Sequence, residues 1–382
     1  MKIHTAIACL VAFLCQADAV AWQSQKLEIS DDGNVLFYNS PVAARVADTI
    51  YFSYISRSGI VYVRYLEKGK FSPPQTVHDY SDRINRNAGL ADDHAAPAII
   101  YDAQEDRLIL ATSYHGSPMF LYEFRQGMQN FKLIRELPGR YTYPRLVEQA
   151  GKIFLISRFQ QHTGGHLVVL ESADNFRDQT FILRADSGTG IYAGSVGVDH
   201  DGLLVSYSKN VHAERRLIGW YLLKYSPSEK RVIYTCDLSF LLGDNSYSNR
   251  PTGIGVGMGK IMAGSAYFDR ISNESSRGSP FSRKNTVAVA QGENGDCESF
   301  ALVHKGQAAA PYYNTSIAIS DHLQYLYFDK DRHVSNTVLP DCFDHPRMMY
   351  PSLMEFGIVF AGMNRDAYSI RNFDNSLYFC AR

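Results

Sequence analysis

Apolar residues in this chain come in short runs rich in Tyr, Phe, Val and Ile, broken by Gly, Asp and Asn, and helical periodicity is nearly absent. Runs of that length between turn residues predict β-strands. One pattern recurs. A turn, usually holding Asp or Gly, leads into an aliphatic residue that opens a strand: "ADTIYFSY", "EDRLILATSY", "AGKIFLISRF", "HDGLLVSY", "MGKIMAGSAY", "SDHLQYLYF" and "EFGIVFAG". The opening aliphatics are Ile50, Leu108, Ile153, Leu203, Ile261, Leu323 and Ile358. A short strand precedes the turns ("PAIIYD", "PRLVEQ", "GSVGVD"), and usually two more follow, as "GHLVVLES" and "TFILR" do in the third repeat. A period of roughly fifty residues with four strands per repeat is the mark of a β-propeller. The pattern therefore predicts an all-β chain, a seven-bladed β-propeller of four-stranded antiparallel blades. Residues 22–382 are read as a single domain, since two sandwiches would not repeat one turn-strand pattern seven times.

That architecture converts sequence position into place. In an antiparallel blade the start of the inner strand and the end of its neighbour lie on the same rim. His94 precedes one inner strand and His115 ends the next strand of that blade; Tyr143 and Arg158 hold the matching positions one blade on. Tyr192, Arg250, Tyr313 and Tyr350 occupy strand starts in later blades. One face is expected to collect imidazoles, guanidiniums and phenols, with Asp93 orienting His94 through a ring N–H. For each residue alone, turn chemistry or a solvated edge charge explains the position as well. Their convergence in adjacent blades is what points to chemistry.

Composition removes several alternatives. The chain has 382 residues, is 45% hydrophobic and 20% charged, and carries a formal net charge of -1. This balance offers no footprint for nucleic acid and no polybasic membrane patch. The opening "MKIHTAIACLVAFLCQADAVAWQ" reads as a secretory signal over residues 1–21, with Lys2 before an apolar stretch too short to span a bilayer and cleavage after Ala19 or Ala21. The mature chain is expected to be secreted or periplasmic and monomeric, with no membrane partner. Cys236, Cys297, Cys342 and Cys380 remain after cleavage and allow three pairings, of which Cys342 with Cys380 is preferred because it would pin the chain's end. None has zinc-site spacing, and His162 and His166 in "QQHTGGH" make a poor metal motif. No metal ligand and no cofactor is assigned.

At "DDHAAPAII", "SYHGSP", "TYPRL" and "ISRF" the chain resembles the BNR-repeat propeller family that includes the ulvan lyases. Members of that family are secreted seven-bladed propellers that cleave uronic-acid polysaccharides by β-elimination. The resemblance rests on a His after an acidic pair, a second His before Gly, then a Tyr and an Arg in the next repeat. It implies that His94, His115, Tyr143 and Arg158 are catalytic and that the partner is an acidic polysaccharide; Tyr192, Arg250 and Asp93, by their rim positions, are expected to help bind substrate. Elimination needs a cation on the uronate carboxylate, which Arg158 suits, with help from His115. It needs a base for the C5 proton and an acid for O4, which Tyr143 and His94 can supply in either order. "SADNFRDQTF" resembles a degraded Asp box, the turn of sialidases, without its Gly and Trp. Two other readings stay open: a propeller glycoside hydrolase acting on a rhamnose-glucuronate linkage, and a carbohydrate-binding propeller without catalysis.

Overall fold

A computed structural model describes residues 26–36, 39–84, 92–161, 164–199, 202–211 and 216–237, and a series of strands between 254 and 381. It is built almost wholly of β-strands; the helical segments among the described residues are three 3-10 turns, at Ser81–Arg83, Asp93–Ala95 and Ser172–Asp174.

The strands fall into consecutive antiparallel units. The first runs Ala43–Val46, Thr49–Ile55, Ile60–Glu67 and Gln75–Asp79. The second runs Ala98–Asp102, Arg107–Thr112, Ser117–Phe124 and the opening half of the long strand Lys132–Gln149. The closing half of that strand begins the third unit, continued by Lys152–Gln161, Gly164–Glu171 and Thr180–Leu183. The fourth is Thr189–Asp199, Gly202–Val211, Arg216–Ser226 and Arg231–Asp237. Each of the seven opening aliphatics named above sits at the second residue of a strand. Burial follows the period of two that a half-buried strand requires: in Ile60–Glu67, Val61 and Val63 face inward between partly exposed neighbours. Hairpin chemistry is equally local. Ala150 and Gly151 carry φ of 50° and 77° between Gln149 and Lys152, which pair with each other. Two central residues with positive φ form the tight turn whose twist matches the flanking strands.

Farther along, the pattern departs from the expected repeat. Thr315–Ser316 pairs with Ala367–Tyr368, and His322–Phe328 pairs with Cys297–Lys305 and Val334–Val338, where the sequence suggested a hairpin joining Thr315–Ser316 to His322–Phe328.

The termini meet. Lys26–Ser30 pairs antiparallel with Asn375–Ala381, which pairs with Gly357–Met363 and through it with Met348–Met354. The first described strand thus supplies the outer edge of the last described sheet. Apolar side chains fill the space between units: Phe52 of the first unit meets Phe379 of the closing sheet edge-on at 5.0 Å. Cys380 is fully buried in that closing strand, while Cys342 lies outside the described residues, as do Arg250 and Tyr313.

Ile29 is fully buried on the pairing edge strand. Ile29→Ala should cost about 2–4 kcal/mol, the usual toll of such a cavity, read as a lowered denaturation midpoint. A midpoint shift no larger than that of a surface substitution would show that the terminal strand does not close the fold.

Candidate active site

The site starts from a turn. "DDHAAP" forms a single 3-10 turn, with the Ala95 amide donating to the Asp92 carbonyl at 3.1 Å. The Asp92 carboxylate accepts the His94 amide at 3.0 Å and also meets the His94 ring at Nδ1. A short acidic side chain at a turn's entrance commonly binds backbone two residues on; here it takes up the following imidazole as well. Surrounding segments fix the turn's carbonyls. Asn39 donates through Nδ2 to the Ala96 carbonyl and more distantly to that of His94, at 3.4 Å. Thr112 donates to the Ala95 carbonyl at 2.9 Å, and Tyr80 donates to Thr112 at 3.3 Å.

His115 arrives from the turn that follows the adjacent strand, three residues past its end at Thr112, where the sequence had it end the strand itself. Its ring stacks on that of His94 with centroids 4.3 Å apart and planes 7° apart. Its Nδ1 lies 3.8 Å from the second oxygen of Asp92, an electrostatic contact beyond hydrogen-bond length. One carboxylate therefore faces two parallel imidazoles.

The third unit brings the phenol and the cation. Thr142 opposes Arg158, but the next matched pair is Arg145 with Ile156, so Tyr143 and Pro144 form a bulge. Tyr143 has φ of 64°, a region that costs a bulky residue of order 1–3 kcal/mol. Bulges re-aim side chains, and this one sets the Tyr143 ring 5.4 Å from His94, 6.4 Å from His115 and 5.9 Å from Tyr192. The Arg158 guanidinium lies 4.3 Å over the Tyr192 ring, a cation–π contact. Gly165, on the paired strand, makes that placement possible: a Cβ there would sit 2.1 Å from Arg158 Nε. Arg145 is buried beneath, donating to Ser40 Oγ at 2.8 Å and to the Ala193 carbonyl at 3.2 Å. It ties the site's units to the chain's opening segment.

His94, Tyr143, Arg158 and Tyr192 are all buried; the His115 side chain is 34% exposed and is the cluster's opening to solvent. Burial raises the Asp92 carboxyl, but the positive charge at His94 and the close approach of both imidazoles outweigh it and hold it well below the carboxylate range. Asp92 is thus an anion and only an acceptor, so the shared proton belongs to His94 Nδ1, leaving Nε2 for chemistry. Burial, then the nearby charges of His94 and Arg158, push His115 below the ordinary imidazole value despite the opposing pull of Asp92. At neutral pH His115 is neutral. The cluster thus combines a fixed cation, an oriented imidazole, a second neutral imidazole and a phenol. Asp92, His94 and His115 also bring ligand atoms within 4.8 Å of one another, the one such trio of metal-ligating side chains found among the described residues.

The sequence placed His94, His115, Tyr143, Arg158 and Tyr192 on one rim, and the structure brings these five together. The carboxylate on His94 is that of Asp92, where the sequence suggested Asp93. The reason is the 3-10 turn: Asp93 is its first residue, and the side chain one position earlier caps it. Sequence reading also missed Asn39, Arg145 and Gly165. Only Gly165 carried a visible signal, as half of the Gly pair in "HTGGH" on a strand. His162 lies outside the described residues; His166 instead accepts the Ala185 amide at 2.9 Å.

No protein-family model matches the sequence, and comparison with curated proteins finds no match. Among solved structures, the chain is similar to one described as a polysaccharide lyase of a new family, PL25 ulvan lyase, at 14% identity with a TM-score of 0.59, covering 94% of this chain and 96% of that one. The same lyase bound to -[GlcA(1-4)Rha3S]- gives 13% identity and a TM-score of 0.58 over the same shares. A thermostable family-43 glycoside hydrolase is more distant, at 13% identity and a TM-score of 0.40. The likeness to the lyase is one of fold alone.

Two outcomes follow. Gly165→Ala should destabilise by about 1–3 kcal/mol, because the added methyl collides with Arg158. The double variant Gly165→Ala/Arg158→Ala should recover much of that loss, so additive single effects in a denaturation cycle would refute the steric account. The lowered His115 pKa means that, below the ordinary value of 6.5, the unfolded chain binds a proton that the folded chain resists. Stability from this group therefore falls as pH drops from 6.5. In His115→Gln, the loss between there and about pH 5 should be smaller than in the parent; an equal or greater loss would count against it.

Proposed function

We propose that the chain is a secreted polysaccharide lyase of seven four-stranded blades that cleaves a 4-linked uronic-acid polymer, ulvan-like or another glucuronate polymer, by β-elimination. The observation that carries this reading is the grouping of the Asp92-held His94 with Tyr143, His115 and Arg158. Resemblance to the ulvan lyases in the residues around these positions, and the shared fold, support it.

In the proposed reaction Arg158, aided by His115, receives the uronate carboxylate. Neutralising that charge makes the C5 proton more acidic. His94 and Tyr143 divide the two proton transfers, one removing the C5 proton as the other protonates O4 while the C4–O4 bond breaks. Asp92 keeps the His94 proton on Nδ1, so Nε2 is the atom that acts. Each transfer is worth roughly 10²–10⁴-fold. A retaining or inverting glycosidase would instead need two carboxylates at the bond, and the described cluster contributes Asp92, already held by the imidazoles. Arg250 and Asp93 complete the substrate contacts in this reading, and no cofactor takes part.

The test is incubation with a panel of uronate polysaccharides while following ultraviolet absorbance of a C4–C5 unsaturated uronate. Absorbance should rise with at least one polymer. His94→Ala and Tyr143→Phe should each lower kcat by about 10²-fold or more, and Arg158→Ala should also raise KM. Reducing ends without absorbance would establish a hydrolase instead, and binding without cleavage would establish a lectin-like propeller.

A further inference from the structure

We propose that Asp92, His94 and His115 also form a binding site for a divalent transition-metal ion of the zinc class, which competes with organic substrate for the two imidazoles. The inference concerns binding and stands independently of the lyase reading.

Two imidazoles and a carboxylate are a donor set that zinc, copper(II) and nickel take readily, while calcium and magnesium prefer oxygen alone. The three donors already converge, with their ligand atoms within 4.8 Å of one another. Around a zinc ion with bonds of about 2.0–2.2 Å, tetrahedral donors stand roughly 3.3–3.6 Å apart. His115 Nδ1 and Asp92 Oδ2 are 3.8 Å apart, close to that spacing. His94 Nδ1 and Asp92 Oδ1 are nearer because a proton joins them. The two rings are stacked with nearly parallel planes, so the partly exposed His115 ring must turn for its in-plane lone pair to reach an ion held by His94. On binding, the metal displaces the His94 proton to water, two nitrogen lone pairs and a carboxylate oxygen bond the ion, and the His94–Asp92 contact opens to donor–donor spacing.

The surroundings favour a trapped rather than a structural ion. The partly exposed side of His115 gives a way in, and a water can complete the fourth position, the arrangement of an open zinc site. Asn39 and Thr112 hold the turn that carries Asp92 and His94, so two of the three donors are placed without an ion. Opposing this, the Arg158 guanidinium stands in the same cluster, 4.3 Å over the Tyr192 ring, which adjoins Tyr143 and through it His115, and its charge repels a dication. The site should therefore hold zinc more weakly than a closed one, and removing Arg158 should strengthen it.

The experiment uses the full mature chain, stripped with EDTA and dialysed, titrated with zinc chloride by calorimetry. One ion per chain is expected at this site. Asp92→Asn and His115→Ala should each weaken it about tenfold or more, and Arg158→Ala should tighten it several-fold. Cobalt(II) added to the parent should show d–d absorption of a nitrogen-ligated low-coordinate site, lost in His115→Ala. His115 is partly exposed, so its variant tests the idea even if Asp92→Asn fails to fold. No zinc bound to the folded parent, or affinity unchanged in His115→Ala, overturns the proposal. Zinc binding without polysaccharide cleavage would leave this inference standing and remove the lyase reading; cleavage without zinc binding would do the reverse.

Discussion

A buried carboxylate cannot stand alone in a protein interior, and Asp92 is such a group. Its environment therefore has to supply donors and positive charge, and everything around it is arranged to do so. The His94 amide and ring, and the ring of His115, surround its two oxygens. Their stack, 4.3 Å apart, is tolerable because His115 stays neutral while His94 holds the proton. Removing the carboxylate would leave two imidazoles face to face with no anion between them. The interaction that stabilises the turn is thus also the one that sets the tautomer of its histidine.

That arrangement demands unusual backbone nearby. Tyr143 cannot reach the imidazoles from a regular strand, since the next side chains along the ladder alternate between faces. The bulge at Tyr143 and Pro144 breaks the alternation at the cost of a left-handed tyrosine. The register also shifts between Ala193 and Val196 in the fourth unit and between Met349 and Ser352 in the closing sheet. In each case the irregular stretch lies near the start of the unit's first strand, at or just after a tyrosine. The repeat thus carries a device for turning strand-start residues, and the third unit uses it to aim a phenol. Arg145, two residues beyond, holds the bulged strand to Ser40 and to the Ala193 carbonyl.

Much of this was readable from sequence because it is local or periodic. Alternating apolar residues and Gly or Asp turns place strands with little help from tertiary contacts, and Leu108, Ile153 and Leu203 all fall at strand openings. The rim argument located His94, His115, Tyr143 and Arg158 because antiparallel pairing fixes which strand ends are neighbours. What escaped depends on a single residue's shift or on distant chain. Asp92 and Asp93 differ only by which one precedes the 3-10 turn. Asn39 touches the turn across more than fifty positions, which no periodicity encodes. Gly165 is needed for the space its missing side chain leaves to Arg158, a packing fact that appears only when both strands are in place. The pairing of Thr315–Ser316 with Ala367–Tyr368 escaped for the same reason, being set by a strand far along the chain.

The distribution of exposure limits what the cluster can do. A guanidinium, a phenol and an imidazole have been withdrawn from water, and only His115 keeps contact with it. Withdrawal is unfavourable for folding, because each group loses hydration that neighbours replace only in part. It is favourable for reaction with an anion, because attraction between Arg158 and a carboxylate grows as the surrounding dielectric falls. The same withdrawal makes the charges interdependent. Arg158 and His94 both depress proton binding at His115, and Asp92 opposes them. An anionic guest beside Arg158 acts in the same direction as Asp92, so it draws His115 toward its protonated, hydrogen-bond-donating form. A neutral sugar has no such effect. The electrostatics of the site thus favour an acidic ligand over a neutral one through the response of its imidazoles as well as through its fixed cation, and they tie recognition of the carboxylate to the protonation state of the groups beside it.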